Sequence, residues 1–142
     1  MTNSFSDFAK AKMILVIGSN MTEAHPVAAT FVKDAVLAGA RLIVADPRRT
    51  PLVDFAERHV QHKVGSDVAL LNSIMCVLIS ENLYDKDYVD SRCSGFKELK
   101  AKVMEYPPEK ASKICGISAD VIRDLARELA SVKPAMLMYT LG

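Results

Sequence analysis

The sequence predicts an α/β fold built on a mostly parallel sheet, and three observations carry that expectation. Two short apolar runs, Met13 to Gly18 and Leu42 to Ala45, have the length and character of strands buried on both faces. Between them Val27, Ala28, Phe31, Val32, Ala35 and Val36 recur at helical spacing. Strand, helix and strand in that succession form the right-handed βαβ pattern, which joins parallel strands.

The elements follow in order. Residues 1–12 read as a lead-in to the first strand, and Asn20 to Ala24 reads as a polar turn. Pro26 suits the first helical position, where its missing N–H is no loss, and Gly39 suits a helix stop. Pro47 and Pro51 bracket a turn, with a short helical stretch expected from Leu52 to Glu57. His59 to Val64 reads as a shorter third strand. Val68 to Asn82 reads as a helix apolar nearly all round, the mark of a helix central in a core or covered by a neighbour. Surface helices are expected at Tyr84 to Arg92 and Phe96 to Tyr106. A further one opens at Pro107-Pro108 and ends near Cys115-Gly116. Ser118 suits the N-cap of an amphipathic helix carrying Val121, Ile122, Leu125, Ala126 and Leu129, and Asp120 in its first turn suits the helix dipole. Ala135 to Leu141 reads as a final strand. The whole is expected to be one domain, a Rossmann-like three-layer αβα arrangement with additional C-terminal helices.

Composition narrows the function. The 142 residues carry 18 basic and 17 acidic side chains, a formal net charge of +1. That balance argues against general electrostatic binding to nucleic acid or acidic membranes, which needs clustered excess cations. Cys76, Cys93 and Cys115 are widely spaced with no Cys-x-x-Cys, so a local iron–sulfur or cysteine zinc site is not expected. Sparse cysteines fit a reducing compartment, and a cytoplasmic location is expected. The longest apolar run, Ile74 to Ile79, is far short of the about 20 residues that span a bilayer.

In open parallel sheets ligands bind beyond the carboxyl ends of the strands. Three polar turns are expected there: Gly18-Ser19-Asn20, Asp46-Pro47-Arg48-Arg49 and Gly65-Ser66-Asp67. Gly18 lets a ligand approach the backbone. Ser19, Asn20 and the amides opening the next helix can donate to phosphate oxygens. Asp46 or Asp67 can accept from a ribose diol, and either can equally accept from the N1–H and N2–H edge of guanine. Arg48 and Arg49 offer forked donors for phosphate, or a stacking plane for a base. Together these describe a cradle for a nucleoside diphosphate. Each turn also has a plain structural use, and Ser66-Asp67 can simply cap the apolar helix.

Other candidates are weaker. His59 and His62, three apart on an expected strand, face opposite sides and make a poor metal pair, so they read as exposed or structural. His25 either caps the helix at Pro26 or contacts the ligand turn. Cys76 reads as inert packing and Cys93 as exposed. Asp120–Arg123 and Asp124–Arg127 read as pairs on a solvated helix face. No Ser/His/Asp arrangement, paired-carboxylate site or Walker loop is present, so the chain reads as a holder of a ligand. A generic NAD-binding domain is the alternative, with Asp46 as ribose partner. The turn at Gly18 lacks the second and third glycines of Gly-x-Gly-x-x-Gly. A non-catalytic interaction module, with the apolar helix covered by a partner, is another.

The stretch Ile17-Gly18-Ser19-Asn20-Met21-Thr22-Glu23-Ala24-His25-Pro26 resembles the cofactor turn of the molybdopterin oxidoreductases of the dimethyl-sulfoxide-reductase type. Leu42 to Thr50 and Gly65 to Leu71 resemble the next two blocks of that family, in the same order and spacing. Gly95 to Leu99, Tyr106 to Glu109 and Cys115 to Ile117 resemble its helical region. The similarity is closest to the catalytic (alpha) subunits of formate dehydrogenases.

The resemblance implies a cofactor, molybdenum or tungsten carried by two molybdopterin guanine dinucleotides, one of them held by this domain. Ile17 to Ala24, with Gly18, Ser19, Asn20 and Glu23, is expected to line the pyrophosphate and nucleoside. Asp46, Pro47, Arg48 and Arg49 are expected to meet the ribose or guanine end, and Gly65, Ser66 and Asp67 to close the site. Family catalytic subunits are several times longer. Their metal-binding cysteine or selenocysteine and their iron–sulfur cysteines normally precede this region. The chain thus resembles an internal domain, expected to lack formate oxidation by itself and to work with the remaining domains of such a subunit and with electron-transfer subunits.

Overall fold

The computed structural model describes residues 4–139. They form two compact units, one from residues 4–61 and 132–139, the other from residues 62–131.

The first unit is built on a wholly parallel four-stranded sheet: β1 (Met13–Ile17), β2 (Arg41–Ala45), β3 (Arg58–Val60) and β4 (Ala135–Tyr139), in the order β3-β2-β1-β4. Met13 to Ile17 lie beside Arg41 to Ala45 on one side and beside Ala135 to Tyr139 on the other. All five side chains of β1 are buried, as its unbroken apolar run requires. Two short α-helices follow β1, α1 (Met21–Ala24) and α2 (Pro26–Leu37). Ala28, Ala29, Val32 and Ala35 of α2 form one core with Ile14, Val16, Leu42 and Val44, and Met136 and Met138 pack against it. Each fully buried valine or leucine there contributes about 1.5–3 kcal/mol. Phe8, from a 3-10 helix at Phe5–Lys10 within the expected lead-in, joins the same core. A second 3-10 helix, Pro51–Phe55, occupies the expected short helical stretch.

The second unit is helical: α3 (Asp67–Ser80), α4 (Lys86–Arg92), α5 (Phe96–Val103), α6 (Pro108–Cys115) and α7 (Ala119–Ser131). The apolar α3 packs against α5, α6 and α7, and the interior includes Leu70, Ile74, Val103, Ala111, Ile122 and Leu125. The Ser118 hydroxyl caps α7 by accepting from Val121 N–H at 3.3 Å, as its sequence position predicts.

Several expectations need correction. Asn20 to Ala24 holds the one-turn helix α1 rather than a bare turn. The third strand starts at Arg58 and stops at Val60, so the polar Gln61, His62 and Lys63 lie beyond it. Asp120 does pair with Arg123, at 3.4 Å. Arg127, however, gives its Nε and Nη2 to the carboxylate of Glu81, both at 2.9 Å, instead of pairing with Asp124. A fork-to-fork contact with a carboxylate at the end of α3 satisfies a guanidinium better than a neighbour on its own helix. Of the final strand, residues 140 and 141 lie outside the described residues.

Candidate functional site

The backbone of β1 leaves the sheet at Gly18, whose φ of +56° is the left-handed conformation that glycine adopts without strain. Its N–H still donates to Ala45 O at 2.9 Å, so the first turn begins beside the end of β2. Ser19 follows, 4% exposed, and its hydroxyl has no hydrogen-bond partner among the described residues. Asn20 turns inward on its own helix, accepting from the Thr22 hydroxyl at 2.9 Å. Glu23 is exposed.

The second turn leaves β2 at the same end of the sheet. Asp46 is 3% exposed, and its Oδ1 accepts from Arg48 N–H at 2.7 Å, which closes a local Asx turn. Two side chains from the β3 segment fasten the turn from below. His59 Nε2 lies 2.9 Å from Asp46 O; because a carbonyl only accepts, that nitrogen carries the proton. Gln61 Nε2 donates to Pro47 O at 2.9 Å. The Arg48 side chain is 73% exposed, its Nε 3.9 Å from Asp46 Oδ1. Arg49 is turned away and binds Asp54 at 2.6 Å on the surface. Thr50 closes the turn with a buried hydroxyl that has no partner among the described residues.

A cleft of about 400 Å³ opens at the carboxyl ends of β1 and β4. Ser19 and Met21 line it on one side, Met138 and Tyr139 on another, and His25, Pro26, Val27 and Ala28 at the start of α2. In an open parallel sheet this is the switch point: the chain leaves β1 toward β2 on one side, and β4 sits on the other. Pro26 occupies the first position of α2, and no side chain caps that helix. The N–H groups of Val27 and Ala28 therefore have no intrahelical carbonyl to meet and carry the positive end of the helix dipole. The cleft pairs that positive end and an unpartnered hydroxyl with apolar walls, a combination suited to an anionic group joined to a larger organic body.

The third turn belongs to the helical unit. Gly65 has φ +76°. The Ser66 hydroxyl donates to Lys63 O at 2.6 Å and does not cap α3. Asp67 opens α3 with its side chain 45% exposed, and its Oδ1 lies 3.0 Å from Nε2 of the fully buried His62.

The structure thus brings Gly18, Ser19 and Asn20 to the same sheet end as Asp46, Pro47 and Arg48, and gives Gly65, Ser66 and Asp67 to the other unit. His59 and His62, read as exposed or structural, are both fasteners. His59 and Gln61 stand two apart, hence on one side of an extended segment, which is a legible signal. The contribution of β4 to the cleft had no signal in its own residues, because it depends on strand order. Among the described residues no group of three or more His, Cys, Asp or Glu is placed to hold a metal ion. Cys76 is buried against Met104, and burial pushes its thiol pKa up, which disfavours the reactive thiolate.

The pattern that defines the molybdopterin oxidoreductases matches residues 1–140, and this chain belongs to that family. Over all 142 residues it is 41% identical to the alpha subunit of F420-dependent formate dehydrogenase 1 from Methanococcus maripaludis. It is 39% identical to formate dehydrogenase H from Escherichia coli. It covers 21% and 20% of those two proteins, so the chain spans about one fifth of the curated relatives it matches. The solved structure of acetylene hydratase from Pelobacter acetylenicus superposes with a TM-score of 0.85 at 38% identity, covering 96% of this chain and 19% of that one. No helix among the described residues is long and apolar enough to cross a membrane.

Proposed function

We propose that this chain is the domain that grips one molybdopterin guanine dinucleotide in a formate-dehydrogenase-like enzyme carrying molybdenum or tungsten. The observation that carries the reading is the switch-point cleft, lined by Ser19 and by the uncapped start of α2. These groups fit a pyrophosphate. Ser19 and the N–H groups of Val27 and Ala28 donate to its oxygens, while Gly18 keeps the backbone clear of it. Asn20 and Glu23 border the nucleoside. Asp46 and the exposed Arg48, on the turn held by the His59 and Gln61 fasteners, meet the ribose or guanine end. Arg49, already paired with Asp54, gives up that contact only if the ligand offers a better one.

The names of the relatives support a holding role. Formate dehydrogenases, nitrate reductases and an acetylene hydratase share this segment at 31–41% identity, although their names refer to different substrates. A segment common to all of them answers to what they share, a cofactor, rather than to what they transform. When bound, that group supplies a metal centre for electron exchange with substrate. Formate oxidation, iron–sulfur clusters, electron-transfer subunits and a cytoplasmic setting belong to the proposed whole enzyme. The Gly18 turn, with its single glycine, argues against the NAD-type alternative.

Calorimetry of the full chain with GDP, ADP and NADH tests the proposal. GDP is expected to bind at millimolar concentration and more tightly than either competitor, and Arg48→Ala is expected to weaken it roughly five- to tenfold. No heat with millimolar GDP, or a preference for NADH, overturns it.

A further inference from the structure

We infer that His25 is the anion-binding residue that makes this cleft sensitive to pH: its protonated imidazole meets the pyrophosphate of the ligand, and binding takes up a proton. This rests on the pyrophosphate reading above, and not on the base that accompanies it. His25 lines the switch-point cleft together with Ser19, Pro26, Val27 and Ala28, and every residue of that lining belongs to the sheet unit. It stands at the junction of two helices, ending α1 and preceding α2. Its sequence position allows either a cap on α2 or a contact with the ligand turn. The side chain makes no cap hydrogen bond to α2 and lines the cleft instead.

The charge balance of the cleft gives that position its meaning. A pyrophosphate joined to an organic group at each end stays fully ionised at neutral pH. Against it the start of α2 and Ser19 bring neutral donors. Among the described residues that line the cleft, His25 alone can become a cation. The cations on the neighbouring elements are engaged elsewhere: Lys10 with Asp7 at 3.0 Å on the 3-10 helix packed against α2, Lys33 over the Phe55 ring, and Arg49 with Asp54 at 2.6 Å. The other titratable groups around His25 are Glu23 on α1, Asp34 on α2 and Tyr139 on β4. Carboxylates as a class are ionised, and phenols neutral, over the interval from about pH 5.5 to 8 in which histidines change charge. A charge that varies in the cleft over that interval is therefore the imidazole's. A charge-assisted hydrogen bond to a phosphate oxygen is roughly twice as strong as a neutral one, and the exposure of His25 screens part of that gain.

The test is calorimetry of the full chain with GDP-mannose, whose pyrophosphate is esterified at both ends and does not itself titrate near neutrality. Affinity is expected to fall about fivefold as pH rises from about 5.5 to 8. By linkage, titrations in buffers of different ionisation enthalpy are expected to show net proton uptake at neutral pH. His25→Gln keeps a polar side chain that cannot charge. It is expected to bind at low pH only as well as the unaltered chain does at high pH, with a flat profile and no proton uptake. His25→Lys, charged throughout, is expected to keep the tighter affinity across the interval, again with no uptake. A merely structural role lowers affinity in His25→Gln by the same factor at every pH and leaves the proton uptake in place. A flat profile in the unaltered chain, or a slope and an uptake that persist in His25→Gln, overturns the inference while the cofactor reading stands. ADP-glucose binding as tightly, with the same pH slope, removes the guanine reading and supports the role of His25. Absence of binding by either nucleotide sugar removes both.

Discussion

Replacing Asp46 by alanine and by asparagine gives the most direct measure of how the second turn is built. The carboxylate is 3% exposed and accepts from Arg48 N–H at 2.7 Å. A hydrogen bond to a charged acceptor contributes about 1.5–3 kcal/mol. Arg48 lies at the surface, so its freed N–H regains water, which brings the expected loss for Asp46→Ala toward about 1–2 kcal/mol, the range of a lost helix cap. His59 and Gln61 hold the carbonyls of Asp46 and Pro47 and do not depend on the carboxylate, so the turn survives in outline. Asp46→Asn keeps an acceptor oxygen in the same place and is expected to lose less than half as much. Urea unfolding followed by circular dichroism reads both values, with unchanged slopes taken as the sign that stability alone has moved. Equal losses for the two variants would refute the reasoning, since they would mean that charge or packing, and not the accepted N–H, sets the energy. No loss in either would refute it as well.

Two further expectations concern the helical unit. The Arg127 guanidinium beside Glu81 holds that carboxyl below its ordinary value near 4.5. Its stabilising contribution is present above that value and is lost as pH falls through the lower folded-state pKa. Glu81→Gln should therefore flatten the decline of melting temperature below about pH 4.5, and an unchanged acid limb would show that the pair is too solvated to matter. Cys93 is exposed while Cys76 and Cys115 are buried, so a thiol reagent should label one cysteine in the native chain and three after denaturation, as counted by mass spectrometry. Rapid labelling of two or three in the native chain would contradict the packing of α3 and α6.

The legible parts of the molecule are those set by nearest neighbours along the chain. β1 and β2 announce themselves because a strand buried on both faces needs an unbroken apolar run, and no other element in a chain of this size needs one so short. Pro26 and Ser118 mark helix starts for reasons contained within one turn. The α1 helix escapes because four residues hold no period. Arg127 is misread because its better partner, Glu81, lies on another helix. In the site, the turn residues are legible from their types, but the cleft is not, because it exists only where β4 arrives beside β1. The fastener His62 is visible as a residue and invisible as a role, since a histidine three positions from another says nothing about which oxygen it will meet.

The order of strands also has a temporal side. Met13 pairs with Ala135, and the whole helical unit is interposed in the chain between β3 and β4. Contacts this distant along a polypeptide form slowly, because a large loop must close before any of them is rewarded. As the chain emerges from the ribosome, β1 must wait with one edge bare until residues 62–131 have been synthesised, while α3 to α7 draw their contacts from a contiguous stretch and can settle early. A chain stopped just short of Ala135 would keep its helices and still display an unpaired apolar strand, so the place where folding is completed last is also the wall of the cleft.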